Sequence, residues 1–194
     1  MGLIRHKESS RLLRKILSEP DATGFYLILR AHNRPTANHS ARTALLAIDL
    51  GIDARAPRHV LWQLGFAGLF HDGGKLYVPN EILNKFGPLT EEERKIVEEH
   101  PLRGYEYVVS LGKPDVAKMV VGHHEPTENY PRAYRGDNGW GELVTLADLA
   151  DSMLKARSYK KAYEPKEAMQ AIRQKYTSHP EFLALLEYRL SSQE

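Results

Sequence analysis

One stretch of this sequence must be buried on every side. Residues 58–70 are almost wholly apolar, with leucine and phenylalanine on all faces of a helix rather than along one stripe. Such a segment is typical of the central helix of a fold, and Pro57 suits its start. The chain leaves this helix at His71 and Asp72, before two glycines that permit a turn. A carboxylate placed beside the core needs a compensating partner.

The rest of the chain repeats its apolar residues mainly at spacings of three and four, which predicts an all-α fold. A first helix with a stripe from Leu12 to Leu17 should end before Pro20, with a turn at 21–24. Residues 25–31 are compatible with a short helix or a strand. The other predicted helices are 39–50, ending at Gly51, then 79–83, 90–100, 102–111, 114–124, 141–155, 165–176 and 180–190.

Local signals mark one helix start and the longest loop. Thr90 and Glu93 have the spacing of a capping box, at the start of a helix that should stop before Pro101. Residues 84–88 are predicted to be a loop, and 125–141 form the longest irregular stretch, of a length often associated with function. With no repeat or linker, we interpret the chain as one domain, residues 31–194, after a helical extension, residues 1–30.

The composition excludes several classes of protein. The 194 residues include no Cys, so disulfide scaffolds, cysteine-bound metals and thiol nucleophiles are excluded. The 27 Lys and Arg are interspersed with 25 Asp and Glu, which disfavours a duplex nucleic acid partner. No stretch approaches the roughly 18 apolar residues of a membrane helix, and the N-terminus lacks a signal-peptide core. We therefore expect no membrane partner and a cytoplasmic location; the oligomeric state is not indicated.

Histidines and aspartates gather at predicted helix ends and faces, a composition typical of a metal site. Imidazoles and carboxylates without thiolates suit iron, manganese, zinc or, less readily, magnesium. A single His is more often a surface or capping residue, the interpretation preferred for His6, His32, His59 and His179. The candidate ligands are His39, His71, Asp72, His100, His123, His124 and Asp148.

All of these residues except His39 lie in motifs that resemble the HD superfamily of metal-dependent phosphohydrolases, most of all its HD-GYP branch. The resemblance covers roughly residues 38–183, and the motifs occur in the family's order at near-family spacing. They are HDGGK at 71–75, VPNEIL at 78–83, GPLTEEERKIVEEHP at 87–101, GHHE at 122–125, LADLADSM at 146–153, ARSYKKA at 156–162 and HPEF at 179–182.

The resemblance implies an all-α HD-domain helical bundle that holds two divalent cations. It assigns His39, His71, Asp72 and Asp148 to one cation, with Asp72 bridging to a second held by His100, His123 and His124. Iron or manganese is favoured, with zinc, nickel and magnesium as alternatives. A third cation is not expected, because its extra Glu ligand in the family is replaced here by Pro35.

The resemblance also implies which residues contact the substrate. Lys75 matches a lysine that contacts the substrate phosphate, while Arg157 and Lys160, with Lys161 beside them, match positions that bind the phosphates of a dinucleotide. A basic run of this kind is also typical of a solvated helix end.

The chain departs from the HD-GYP pattern in the loop after GHHE. Family members have five residues between HHE and Gly-Tyr-Pro, whereas here three residues separate Glu125 from Asn129-Tyr130-Pro131. Arg132, Arg135 and Gly136 of the following segment are retained. Because that loop helps to shape the substrate pocket in the family, the resemblance supports the chemistry better than it supports the substrate.

The predicted function is hydrolysis of a nucleotide phosphoester, with cyclic di-GMP as the first small-molecule substrate to test. Two cations would activate a bridging hydroxide for attack on phosphorus, in line with the departing ribose oxygen. Asp72 would bridge and orient, and Lys75 would neutralise charge on the phosphoryl oxygens. The alternatives are a phosphohydrolase of a mononucleotide, cyclic mononucleotide or alarmone, and a non-catalytic nucleotide-sensing HD domain.

Overall fold

The computed structural model describes residues 6–124, 139–155, 162–176 and 178–191. Within these ranges the elements are helices and no strand occurs, so the predicted all-α class is confirmed. No helix in these ranges is long and apolar enough to cross a membrane. The α-helices are α1 (Lys7–Ile16), α2 (Pro20–His32), α3 (Arg34–Asp53), α4 (Arg58–Phe70), α5 (Asn80–Leu83), α6 (Glu91–Glu98), α7 (His100–Ser110), α8 (Pro114–Val121), α9 (Glu142–Leu154), α10 (Pro165–Lys175) and α11 (Pro180–Ser191); Gly73–Tyr77 and Gly139–Gly141 form short 3₁₀ helices.

Helix α4 lies at the centre of the fold, as its apolar sequence predicts. Its Leu64, Phe66 and Phe70 side chains are fully buried, and it packs against α1, α3, α8 and α9. The ring of Phe70 stacks on Phe66 at 4.4 Å and on Phe25 of α2 at 3.8 Å between centroids. This stack anchors α2 on the end of α4 from which the chain continues to His71.

Helices α3 and α4 approach each other closely because glycines lie along their contact. A Cβ atom added to Gly68 would lie only 2.6 Å from the Cα atom of Ala44, and one added to Gly51 would lie 2.7 Å from Leu64. The backbones therefore nearly touch at Gly68, one turn before His71. This contact brings the histidine-bearing parts of the two helices together.

The start of the chain differs from the prediction. Pro20 does not precede a turn but is the first residue of α2, which contains both the predicted turn at 21–24 and the ambiguous segment 25–31. Proline is favoured at the first helical position because the N–H group there has no partner in the helix. Asp21 in the first turn also suits the positive end of the helix dipole.

Helix α3 is longer than predicted at both ends. It begins at Arg34 after the Asn33 cap and continues through Gly51 to Asp53. Gly51 does not end the helix, because its missing side chain serves the close contact with α4. The left-handed conformation beyond the helix end is taken by Arg55, with φ of 57°.

The later helices follow the prediction more closely. Both hydrogen bonds of the predicted capping box between Thr90 and Glu93 are present. Helix α6 ends at Glu98, so His100 begins α7 instead of closing the preceding helix, and α8 ends at Val121 rather than at residue 124. The helices predicted at 165–176 and 180–190 are confirmed within a residue. Most of the predicted loop at 125–141 lies outside the described residues, and the domain division after residue 30 stays a prediction.

Gly68→Ala is expected to lower the free energy of unfolding by about 1–3 kcal/mol, the usual cost of overpacking. The added Cβ would meet backbone atoms of Ala44 at 2.6 and 2.8 Å, which cannot move without separating α3 from α4. Urea denaturation followed by circular dichroism measures the change.

Gly24→Ala is the matched control for this substitution. Its Cβ would have no neighbour within 4 Å, and alanine favours a helix over glycine by up to about 1 kcal/mol. Gly24→Ala should therefore be neutral or stabilising. Equal losses of stability at the two positions would contradict the close contact between α3 and α4.

Candidate metal centre

Three helices end at one place, and each is followed by a histidine: His71 after α4, His100 after α6 and His123 after α8. The Nδ1 atom of each ring donates to a main-chain carbonyl of the helix that has just ended, and such carbonyls lack their full set of helical partners. The acceptors are the carbonyl oxygens of Gly68 at 2.9 Å, Val97 at 2.7 Å and Val120 at 2.5 Å. These bonds orient the three rings and, in the neutral form, place the lone pair of each ring on Nε2, the atom that could bind a metal ion.

The candidate ligands form two neighbouring groups. In each group, one donor atom from every residue lies within 4.8 Å of the others. Asp148 adjoins the first group, since its Oδ1 atom is 2.9 Å from Nε2 of His39. The first group consists of His39, His71 and Asp72, and the second of His100, His123 and His124.

Asp72 belongs to the first group but also faces the second, and it is only 2% exposed. Its Oδ2 atom is 3.5 Å from Nε2 of His71 and 3.8 Å from Nε2 of His39. Its Oδ1 atom is 3.3 Å from Nε2 of His100. One carboxylate oxygen thus faces each group, which is the arrangement that a bridging ligand requires.

The second group contains two nitrogen atoms that face each other without a proton between them. Nε2 of His100 is 3.3 Å from Nε2 of His123, and both are lone-pair acceptors in the neutral rings because each Nδ1 carries the hydrogen. Two such lone pairs repel. Two ligands that each lie about 2.1 Å from one cation stand roughly 3.0–3.4 Å apart. The nitrogen and oxygen donors here therefore fit a transition metal cation.

Burial keeps most of these imidazoles neutral. It lowers the pKa of His100 and of His123 to about 3. It also lowers the pKa of His71, and that of His124 well below the usual value, where repulsion from His123 adds to the effect. A neutral imidazole has the lone pair that metal binding needs.

His39 and the carboxylates behave differently. Although burial lowers the pKa of His39, its hydrogen bonds to Asp148 and Asp151 outweigh that effect and raise the pKa to about 9. Burial alone would raise the pKa of Asp72, but the Lys75 ammonium holds it well below its usual range. The pKa of Asp148 is likewise held well below its usual range, despite burial, by the hydrogen bond with His39. Both carboxylates are therefore ionised, as candidate metal ligands must be.

The remaining predicted residues divide into three sets. Lys75 lies beside the centre, with Nζ 2.7 Å from the Asp72 carboxylate, and lines a cleft of about 640 Å³. Arg157, Lys160 and Lys161, as well as the shortened loop, lie outside the described residues. The four histidines interpreted as surface or capping residues belong to neither ligand group: His6, His32, His59 and His179.

Two residues beside the candidate ligands were not predicted from the sequence. Asp151 contacts Nδ1 of His39 through Oδ2 at 2.7 Å, and Arg42 contacts both carboxylate oxygens of Asp151 at 2.6 and 2.7 Å. Asp151 follows Asp148 by three residues, as Arg42 follows His39. Since residues three apart share a face of a helix, this spacing is the signal that could have identified them.

Comparisons with known proteins identify the family of the chain. The HD domain family profile matches residues 25–180. The chain is 30% identical over 160 residues to a cyclic di-GMP phosphodiesterase of Pseudomonas aeruginosa, covering 79% of this chain and 39% of that protein. It is 36% identical over 149 residues to 3′3′-cGAMP-specific phosphodiesterase 3 of Vibrio cholerae, covering 72% of this chain and 32% of that protein.

A solved structure shows the same fold. The HD domain of the L. monocytogenes phosphodiesterase PgpH superposes with a TM-score of 0.65 at 13% identity, over 87% of this chain and 96% of that one. The fold and the two candidate groups define a helical protein with histidine and aspartate clusters that could bind metal ions. The chain belongs to the HD domain family. It spans 39% and 32% of the lengths of the two curated relatives.

The metal-free protein is expected to be most stable near pH 6.5 and to lose stability on both sides. His100 and His123 have folded pKa values of about 3 against an ordinary 6.5. The unfolded chain therefore binds more protons below pH 6.5, and the free energy of unfolding falls as the pH drops. His39 has a folded pKa of about 9, so its contribution is complete below pH 6.5 and is lost as the pH rises to 9.

Urea denaturation of chelator-treated protein across this pH range measures both limbs. His123→Gln should make the acid limb less steep, and His39→Gln should flatten the alkaline limb. An acid limb that is unchanged in His123→Gln would show that this buried imidazole does not cause it.

Proposed function

We propose that this chain is a phosphodiesterase that uses two divalent cations, iron or manganese, to hydrolyse a cyclic dinucleotide, with cyclic di-GMP as the first candidate. The observation that carries the proposal is a facing pair of Nε2 atoms on each side of Asp72. His39 and His71 approach to 3.3 Å on one side, and His100 and His123 to 3.3 Å on the other. Each pair has the spacing of two ligands on one cation.

The names of related proteins support the same class of substrate. The two curated relatives are named as phosphodiesterases of cyclic di-GMP and of 3′3′-cGAMP. The PgpH HD domain has been solved in complex with cyclic-di-AMP. These three ligands share a ring with two phosphodiester groups. A protein that binds such a ring would recognise one phosphate at the metals and the other phosphate nearby.

The residues of the centre would have different roles in such a reaction. Two bound cations supply an activated water and neutralise charge on the phosphoryl group. Asp72 offers one oxygen to each ligand group and so holds the groups in register. The Lys75 ammonium, 2.7 Å from that carboxylate, competes with a cation for the same oxygens. With the cations bound, its favoured partner becomes a nonbridging phosphate oxygen in the adjoining cleft.

The cleft beside Asp72 carries further positive charge. Its volume of about 640 Å³ suits one small-molecule ligand. Arg34 at the start of α3 and Lys155 after α9 both line it. Within the described part of the chain, neither has a carboxylate partner. We infer that the side chains of Arg34 and Lys155 bind the second phosphate of the dinucleotide, together with Arg157, Lys160 and Lys161.

Purified protein loaded with Mn²⁺ or Fe²⁺ is expected to hydrolyse cyclic di-GMP, and Asp72→Ala is expected to reduce kcat by more than about a hundredfold. Loss of the bridging carboxylate costs more than loss of a single charge-stabilising donor. Chromatographic quantification of the linear product and of GMP measures the rate.

Asp115→Ala removes an exposed carboxylate on α8 that pairs with nearby Lys118, and this variant should retain full activity. Equal turnover by wild type and Asp72→Ala would refute the mechanism. The assay should include 3′3′-cGAMP, cyclic-di-AMP, a cyclic mononucleotide and a guanosine alarmone. Turnover of only the last two would replace the substrate class, and binding without turnover would identify a sensor.

Arg34→Ala and Lys155→Ala are each expected to raise KM for the cyclic dinucleotide by about 5- to 30-fold, the effect of losing one charge-assisted hydrogen bond. The same variants should leave KM for bis(p-nitrophenyl) phosphate unchanged, because that substrate has only one phosphate. Steady-state kinetics on both substrates measures the difference.

Arg30→Ala is the matched control, since Arg30 is an exposed arginine of α2 that does not line the cleft. An equal rise in KM for both substrates would place Arg34 and Lys155 at the first phosphate. No rise for either substrate would remove them from the binding site.

A further inference from the structure

His39 differs from the other histidines of the centre in the way its Nδ1 atom is held. His71, His100 and His123 follow helix ends and donate to carbonyls of the helix before them. His39 lies inside α3, where the carbonyls of the preceding turn already accept the hydrogen bonds of the helix. Its Nδ1 atom must therefore find a partner on another element.

That partner is a buried carboxylate on α9. Asp151 Oδ2 lies 2.7 Å from Nδ1 of His39, and Asp148 Oδ1 lies 2.9 Å from Nε2 of the same ring. The two aspartates are one helical turn apart, so they contact opposite edges of the imidazole. Asp148 is on the side of the candidate ligands, whereas Asp151 is on the far side. Asp151 therefore cannot share a cation with His39, but it can orient the ring.

Asp151 is itself held by an arginine. Its side chain is 8% exposed, and an unpaired carboxylate at that depth would be costly. Arg42 satisfies it through Nε at 2.6 Å and Nη2 at 2.7 Å, one nitrogen to each oxygen. Such a two-point contact fixes the plane of the carboxylate as well as its charge. Because Arg42 follows His39 by one turn of α3, the chain of contacts from His39 to Asp151 to Arg42 closes on one helix face.

We propose that Asp151 is a positioning residue of the metal centre, which holds the hydrogen of His39 on Nδ1 so that the Nε2 lone pair points at the cation site, and that Arg42 holds Asp151. This inference rests on the proposed metal centre and adds a difference between its two groups in how the imidazole rings are oriented. Three imidazoles are oriented by main-chain carbonyls, which no substitution removes. The group that contains His39 depends on Asp151 of α9 and Arg42 of α3, so loss of Asp151 should weaken that group selectively.

Calorimetric titration of the metal-free 194-residue protein with Mn²⁺ and with Zn²⁺ tests the proposal. Wild type is expected to bind two equivalents. Asp151→Ala should weaken one equivalent by about 10- to 100-fold, as loss of an outer-shell partner does, and leave the other unchanged. Asp151→Asn keeps an oxygen that can accept from Nδ1, so its effect should be smaller, and Arg42→Lys should resemble Asp151→Asn. Asp115→Ala is the control for loss of an aspartate.

The ring hydrogen on Nδ1 provides a second readout that a merely structural role would not change. Its resonance in ¹⁵N-edited NMR, assigned by its loss in His39→Gln, should be protected from exchange in wild type and in Asp151→Asn but not in Asp151→Ala. If Asp151→Ala lowers Tm but leaves both metal affinities and this protection unchanged, the positioning role is refuted.

The two proposals fail in different ways. A wild type that binds fewer than two equivalents refutes the binuclear centre, while the NMR measurement on metal-free protein still decides the role of Asp151. Two equivalents weakened together in Asp151→Ala would refute the difference between the two groups. Should Asp151→Ala fail to fold, Asp151→Asn and Arg42→Lys carry both measurements.

Discussion

A charged carboxylate inside a helical core is the constraint on which much of this structure depends. Asp72 directly follows the most apolar helix and is 2% exposed. An ionised group at that depth costs several kcal/mol unless other groups compensate it. The Lys75 ammonium, 2.7 Å from the carboxylate, supplies that compensation. A Cβ atom added to Gly74 would lie 2.0 Å from the carbonyl oxygen of His100, so the backbone after Asp72 rests on the start of α7. This contact brings the second ligand group to the shared carboxylate.

The metal centre is assembled largely from helix C-termini. Helices α4, α6 and α8 end around it, and the histidine that follows each one donates to a carbonyl of its last turn. The negative ends of three helix dipoles therefore surround the place where cations would bind, which is favourable for positive charge. His39 is the exception, and its orientation depends on Asp151 and Arg42. The ring of His39 is thus held by side chains, whereas the rings of His71, His100 and His123 are held by the main chain.

Much of the fold could be predicted from local pattern, but two punctuation residues misled the prediction. The all-round apolar run of α4 and the capping box at Thr90 have one meaning each, and both predictions are confirmed. Pro20 and Gly51 are each compatible with two structural roles. Proline can follow one helix or begin another, and glycine can end a helix or allow a neighbour to approach. For Gly51, the packing of α4 decides between these alternatives, and that contact joins residues from different helices.

The sequence by itself determined the kinds of candidate ligand and their order along the chain, because the family motifs carry every histidine and aspartate of the two groups except His39. The absence of cysteine limited those ligands to nitrogen and oxygen. The tertiary structure decided how each ligand is held. His39 and Asp151 are 112 positions apart, and Arg34 meets Lys155 in one cleft only through the packing of α3 on α9. Local pattern reports which face of a helix is apolar, whereas a hydrogen bond between helices depends on their relative rotation and separation, which core packing sets.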